Sequence, residues 1–136
     1  MESQPNFLDM LKNEPRISLK AGEVLFNFGD TADCLYIVEI GMIRLGAGQT
    51  VFEEASVGAV IGEMAVVDGS PRSATGWAAS DTTLLRISGE RFRALIIERP
   101  DFALSIMRIM AKRLRAMNKR FLSLESIHTL PRPGIG

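Results

Sequence analysis

Hydrophobic positions along the chain fall into three successive rhythms. In the first, Phe7, Leu8 and Leu11 make an apolar patch at i, i+1 and i+4. Asn6 is placed to cap a short helix there, and Pro15 ends it. Between residues 17 and 87 the apolar runs shorten. They comprise Val24-Leu25-Phe26, Leu35-Tyr36-Ile37-Val38, Met42-Ile43-Arg44-Leu45, Val51-Phe52, residues 57–61, Trp77-Ala78-Ala79 and Thr83-Leu84-Leu85-Arg86-Ile87. Glycines punctuate them, and short strands with a turn signal about every ten residues predict an antiparallel sandwich or barrel. Glu39-Ile40-Gly41 and Gly46-Ala47-Gly48-Gln49 read as tight hairpin turns.

The third rhythm is helical. Ser88 can cap a helix through Phe92, Leu95, Ile96 and Ile97, which Pro100 interrupts, and Asp101 opens a second helix. Ile106, Met110, Leu114, Met117, Phe121 and Leu124 then recur at steps of 4, 4, 3, 4 and 3, one apolar stripe along a single helix face. The stretch 129–136 holds two prolines and two glycines and reads as a frayed tail.

With 136 residues the chain has room for one domain. A hydrophobic content of 46% with 24% charged residues fits a folded globular protein and argues against disorder. There is no apolar run of membrane-spanning length, and residues 1–20 show no basic start followed by an apolar core, so no secretory signal is expected there. The single cysteine, Cys34, excludes an internal disulfide framework and a cysteine-built zinc or iron–sulfur site, and fits a reducing, cytoplasmic setting. Cys34 and Trp77 read as core residues. His128 is the lone histidine, so no histidine set exists for the metal of a cupin-type enzyme. Gly46-Ala47-Gly48-Gln49-Thr50 lacks the lysine and spacing of a P-loop.

The zero net charge hides an asymmetry. Residues 1–101 carry 15 acids and 9 bases, whereas residues 102–136 carry 7 bases and a single acid. A basic helix on an acidic body can be a solvated face, a docking surface for an acidic partner, or a polyanion site. Only Phe121 interleaves with these bases, and it belongs to the apolar stripe, which speaks against stacking on single-stranded nucleic acid.

The stretch from Gly62 to Thr75 holds the candidate chemistry. Gly62-Glu63-Met64-Ala65-Val66 can form one helical turn directly after a strand, with a glycine that lets the backbone approach a ligand closely. Asp68-Gly69-Ser70-Pro71 is a turn, and Arg72 follows it with the small residues Ser73 and Ala74. A guanidinium with accessible N–H groups beside it suits one phosphodiester. Glu63 would repel that phosphate and would meet a donor such as a sugar hydroxyl. The other reading of the two residues is a plain Glu63–Arg72 salt bridge within a turn.

Gly62-Glu63-Met64-Ala65 followed by Pro71-Arg72-Ser73-Ala74-Thr75 resembles the phosphate-binding cassette of cyclic nucleotide-binding domains, as in the catabolite activator protein and protein kinase A regulatory subunits. The resemblance spans about residues 16–120, through the opening strands at Leu19-Lys20-Ala21-Gly22-Glu23 and the run Leu35-Tyr36-Ile37-Val38 to the helices from Phe92 onward. It implies a mainly β fold, a jelly-roll-like double-stranded β-helix barrel with a short N-terminal helix and two C-terminal helices. The domain would occupy residues 1–126, with a β-body over 16–88 and helices over 89–126, followed by a flexible tail at 127–136.

The resemblance also implies the site. Glu63 would accept the ribose 2′-hydroxyl, Arg72 would pair with the cyclic phosphate, and Ser73 and Ala74 would complete the cradle. Gly62 would admit the sugar, with Met64 beside it. Met117 and Asn118 match the helix that caps the purine, Met117 as apolar cover and Asn118 reading a base edge. The chain is thus expected to be a non-enzymatic sensor with no cofactor. Its ligand would be cyclic AMP before cyclic GMP, because Ser73 stands where threonine leans toward cyclic GMP in the family. Closure of the C-terminal helix would carry the signal to an unidentified protein partner. The apolar stripe of that helix can pair with a second copy in a homodimer or pack on the β-body. No DNA-binding domain and no membrane contact are expected. The alternatives are an N-terminal fragment of a cyclic nucleotide-responsive transcription regulator, or a non-binding dimerisation or docking module.

Overall fold

The computed structural model describes Leu8 and residues 11–128. Eight strands pair into two four-stranded sheets. One runs β1 (Arg16–Leu19), β8 (Thr82–Ser88), β3 (Cys34–Ile40) and β6 (Val60–Ile61); the other runs β2 (Val24–Phe26), β7 (Thr75–Ala78), β4 (Ile43–Ala47) and β5 (Thr50–Ala55). All pairings are antiparallel. The ladders end at β1 and β6 in one sheet and at β2 and β5 in the other. The expected mainly β, antiparallel body is thus built as two four-stranded sheets.

Strand β3 shows why an unbroken apolar run was needed. Leu35 and Ile37 join Val60, Leu85 and Ile87 in a core that the C-terminal helices cover. Tyr36 and Val38 point the other way and join Phe26, Ile43, Leu45 and Ala78 between the sheets. A strand buried on both faces has no polar alternation to show. Leu11 is buried in the helix-side core. Of the expected N-terminal helix, Leu8 is helical and packs on that core, while Asn6 and Phe7 lie outside the described residues.

The turn expected at Glu39-Ile40-Gly41 is not a hairpin, because β3 and β4 belong to different sheets. Gly41, at φ 94°, carries the chain from one sheet to the other. The corner is locked by buried Thr82, whose Oγ1 accepts from Met42 N at 3.2 Å. A side chain at Gly41 would collide with Asp81 and Thr82. The turn at Gly46-Ala47-Gly48-Gln49 does join a β4–β5 hairpin, with a register shift at Leu45 and Gly46. Of the run 57–61, only Val60–Ile61 is strand.

Three helices complete the described fold: α1 (Glu63–Asp68), α2 (Gly89–Glu98) and α3 (Pro100–His128). Ser88 caps α2 as expected, its Oγ accepting from Arg91 N at 3.0 Å. Phe92 and Phe102 meet edge to face across the α2–α3 bend, with centroids 5.9 Å apart. The 29 residues of α3 span about 43 Å at 1.5 Å per residue. Its first turns bury Phe102, Ser105 and Ile106. Beyond Met110 the apolar stripe leaves the body, and Leu114, Met117, Phe121 and Leu124 are all exposed. The backbone helix continues to His128, past the boundary placed at residue 126, and residues 129–136 lie outside the described residues. No described helix is long and apolar enough to cross a membrane.

Candidate functional site

The site grows from the end of β6. Ile61 pairs with Tyr36, and Gly62 then takes a left-handed conformation, φ 79° and ψ 18°, that starts α1. This places Glu63 in the first turn of α1, only 2% exposed. The helix ends at Gly69, whose N–H bonds Ala65 O at 3.0 Å. The following turn is held by Asp68 Oδ1, which accepts from Ser70 Oγ at 2.6 Å and Ser70 N at 2.9 Å. Those two bonds hold the Asp68 carboxyl below its ordinary range.

Arg72 follows, its main chain pinned to the loop between β2 and β3. Its N–H bonds Asp30 O at 2.9 Å and its carbonyl accepts from Gly29 N at 2.8 Å. The side chain is 5% exposed. Its Nη1 donates to Gly62 O at 3.1 Å and its Nη2 to Cys34 O at 2.9 Å. A methyl on Gly62 would strike Arg72 Nη1, so the missing Cβ makes room for the guanidinium. Cys34 is buried and has no disulfide partner.

Glu63 and Arg72 do not pair. Among the described residues no carboxylate forms a salt bridge with Arg72. Glu63 instead pairs through Oε2 with Arg113 of α3. Arg113 also donates to Glu53 Oε2 at 3.2 Å and to the Val60 carbonyl. Burial disfavours the Arg113 charge, but the bond to Glu63 and the charges of Glu63 and Glu53 outweigh it and raise its pKa. Glu63 Oε1 is buried without a hydrogen-bond partner. An orphaned buried acceptor costs about 1–3 kcal/mol and is satisfied by an incoming donor.

These groups line a cavity of about 640 Å³ between the β-body and α3. Gly62, Glu63, Met64, Arg72, Ser73 and Ala74 are all on its wall, as is Met117. Met64 is half exposed there, Ser73 exposed and Ala74 half-buried. Asn118 is not on the wall. The cavity face of α3 presents Lys112, Arg113, Ala116, Met117 and Arg120, spaced as neighbours on one side of a helix. Asn118 lies one residue beyond that wall and is exposed. Arg113 is the residue that sequence reading missed. Its signal was the cationic i, i+7 pair Arg113 and Arg120 flanking Met117, hidden among other bases of the same helix. The wall carries four cationic side chains, Arg72, Lys112, Arg113 and Arg120, against two carboxylates, Glu53 and Glu63. Such a cavity favours an anion that also bears hydroxyl donors.

Residues 16–99 match the cyclic nucleotide-binding domain family. The chain belongs to that family. Among curated proteins it is similar to lysophospholipase NTE1 of Chaetomium globosum, 35% identical over 106 residues, covering 74% of this chain and 7% of the fungal protein. The chain thus spans only a small fraction of such relatives. Among solved structures it is similar to the catabolite activator protein of Thermus thermophilus, with TM-score 0.78 and 29% identity over 87% of this chain and 58% of that one. A cyclic nucleotide-binding-like protein from Brucella abortus aligns with TM-score 0.57 and 34% identity, covering 65% of this chain and 81% of that one.

Proposed function

We propose that this domain is a non-enzymatic, cytoplasmic sensor that binds a cyclic nucleotide, cyclic AMP in preference to cyclic GMP, in the cavity beneath α3. The observation that carries the reading is the pair of unmet needs on one wall. Arg72 is a buried cation with no carboxylate partner among the described residues, and Glu63 Oε1 is a buried acceptor with no donor. A cyclic phosphate beside a ribose hydroxyl meets both. Ser73 and Ala74 adjoin Arg72 at the phosphate end, and Met117 covers the base. The preference for cyclic AMP rests on Ser73.

In this reading α3 reports occupancy. Arg113 already ties the helix to Glu63 across the cavity. A ribose hydroxyl arriving at Glu63 shares that carboxylate with Arg113, and the helix shifts by the difference in affinity between its two positions. The bend at Arg99 and Pro100 is the hinge.

We also propose that α3 pairs with its copy in a homodimer. Leu104, Met107, Ala111, Leu114, Asn118 and Phe121 are exposed and follow spacings of 3, 4, 3, 4 and 3. That is the seam of a two-stranded coiled coil, with Asn118 as its one polar core position.

Titration of cyclic AMP and cyclic GMP, read by calorimetry or Trp77 fluorescence, tests the binding reading. Cyclic AMP is expected to bind more tightly. Arg72→Ala should weaken binding by at least about 2 kcal/mol, because a charge-assisted hydrogen-bonded pair is lost. Glu63→Gln should weaken it less. Unchanged affinity in Arg72→Ala refutes the site, and the reverse order of the two variants would exchange their roles.

A further inference from the structure

The surroundings of Arg72 hold its charge without neutralising it. The guanidinium carbon lies 4.3 Å from the centroid of the Phe26 ring and 5.7 Å from that of Tyr36. The two rings stack, with centroids 6.2 Å apart and planes at 27°. Gly76 makes room for this arrangement, since a methyl there would press against Phe26 Cε1 and Cζ at 3.2 Å. The Cys34 thiol takes a further contact from Nη2 at 3.5 Å. Burial, then the bond to Cys34, pushes the Tyr36 phenol above its ordinary range, which keeps it neutral. The shell around this buried cation is therefore two rings, two carbonyls and a thiol. A carboxylate in the same place would fix Arg72 equally well but would quench its attraction for an anion.

We infer that Phe26 is the positioning residue for Arg72: its ring sets the guanidinium's plane from beneath and leaves the remaining N–H donors and the full charge facing the cavity. Phe26 itself is 8% exposed and reaches the cavity wall. Ring-face attraction of a desolvated guanidinium is strong enough to choose one orientation. The inference rests on the reading of Arg72 as the phosphate-binding group, and it places the control of anion affinity in a residue of β2, far in sequence from the cassette.

The test uses Phe26→Leu and Phe26→Met, which remove the ring at similar volume, with Phe26→Tyr as the variant that keeps it. Affinities for cyclic AMP and for adenosine, which lacks the phosphate, are compared by calorimetry, and thermal melts confirm folding. Loss of the ring should lower cyclic AMP affinity about tenfold and leave adenosine affinity unchanged, while Phe26→Tyr should restore binding. The Arg72 side-chain resonances supply a readout that needs no ligand. They should be shifted by the ring and slow to exchange in the wild type and in Phe26→Tyr, and averaged in Phe26→Leu and Phe26→Met. Equal losses for cyclic AMP and adenosine, unchanged cyclic AMP affinity, or unchanged Arg72 resonances would each overturn the inference. If the wild type binds no cyclic nucleotide, the proposed function fails, and the resonances alone decide the role of Phe26.

Discussion

At the scale of single residues, the site is a set of charges that avoid each other's obvious partners. Glu63 and Arg72 flank Gly62 on one wall, yet they turn to other groups, Glu63 through Oε2 to Arg113 and Arg72 to carbonyls and rings. Under the proposed function, that separation is what leaves both groups open to a ligand. Arg113 carries the folding side of this arrangement, because without it Glu63 would be a buried charge facing no cation. Breaking a buried pair costs more than the pair contributes, since it strands the survivor. Arg113→Gln and Glu63→Gln should each lower unfolding stability by about 1–3 kcal/mol in denaturant melts, and the double variant by about 1 kcal/mol or more below the sum. Strict additivity would mean the two side chains do not interact in solution.

At the scale of elements, α3 carries three faces at once. Phe102, Ser105 and Ile106 anchor it to the body, Arg113, Met117 and Arg120 face the cavity, and Met107, Leu114, Asn118 and Phe121 lie on the outside. One side of the outer seam is edged by Arg108 and Arg115. An antiparallel pair would set arginine against arginine, which favours the parallel one. A buried Asn pair fixes register at a cost in stability. Sedimentation should therefore show a dimer for the wild type, a monomer for Leu114→Asp, and a tighter assembly of mixed order for Asn118→Leu. A wild type that stays monomeric at high concentration would leave this face without its proposed partner.

For the whole molecule, the charge asymmetry has a place to go. Of the six cations of α3 between Arg108 and Arg120, Lys112, Arg113 and Arg120 line the cavity, while Arg108, Arg115 and Lys119 are exposed. The basic helix on an acidic body is in part the far wall of the cavity. Because the cavity is built from β6, α1, the loop carrying Arg72 and α3 together, its ligand binds only the folded chain. Cyclic AMP at a hundredfold excess over its Kd should add about 2.7 kcal/mol to stability, a rise of about 10 °C in Tm for a domain of this size. Adenosine at the same concentration should add little. A melting curve indifferent to cyclic AMP would show that the cavity does not take it.

The sequence by itself marked the strand-rich core, the start of the C-terminal helices and the stretch that holds the candidate site. Leu35 to Val38 had to be covered on both faces, Ser88 had to start a helix, and the run from Gly62 to Thr75 brought a carboxylate, an arginine and small residues into one short segment. Those are local signals, written in periodicity and spacing. The tertiary structure alone decided partners that periodicity does not encode: that Gly41 turns a corner between sheets, that Gly62 yields its space to Arg72, that Phe26 lies under that arginine, and that Arg113 lines the cavity. A helix pattern fixes the angle between two of its side chains, but only the docking of that helix on the sheets fixes which of them meets the site.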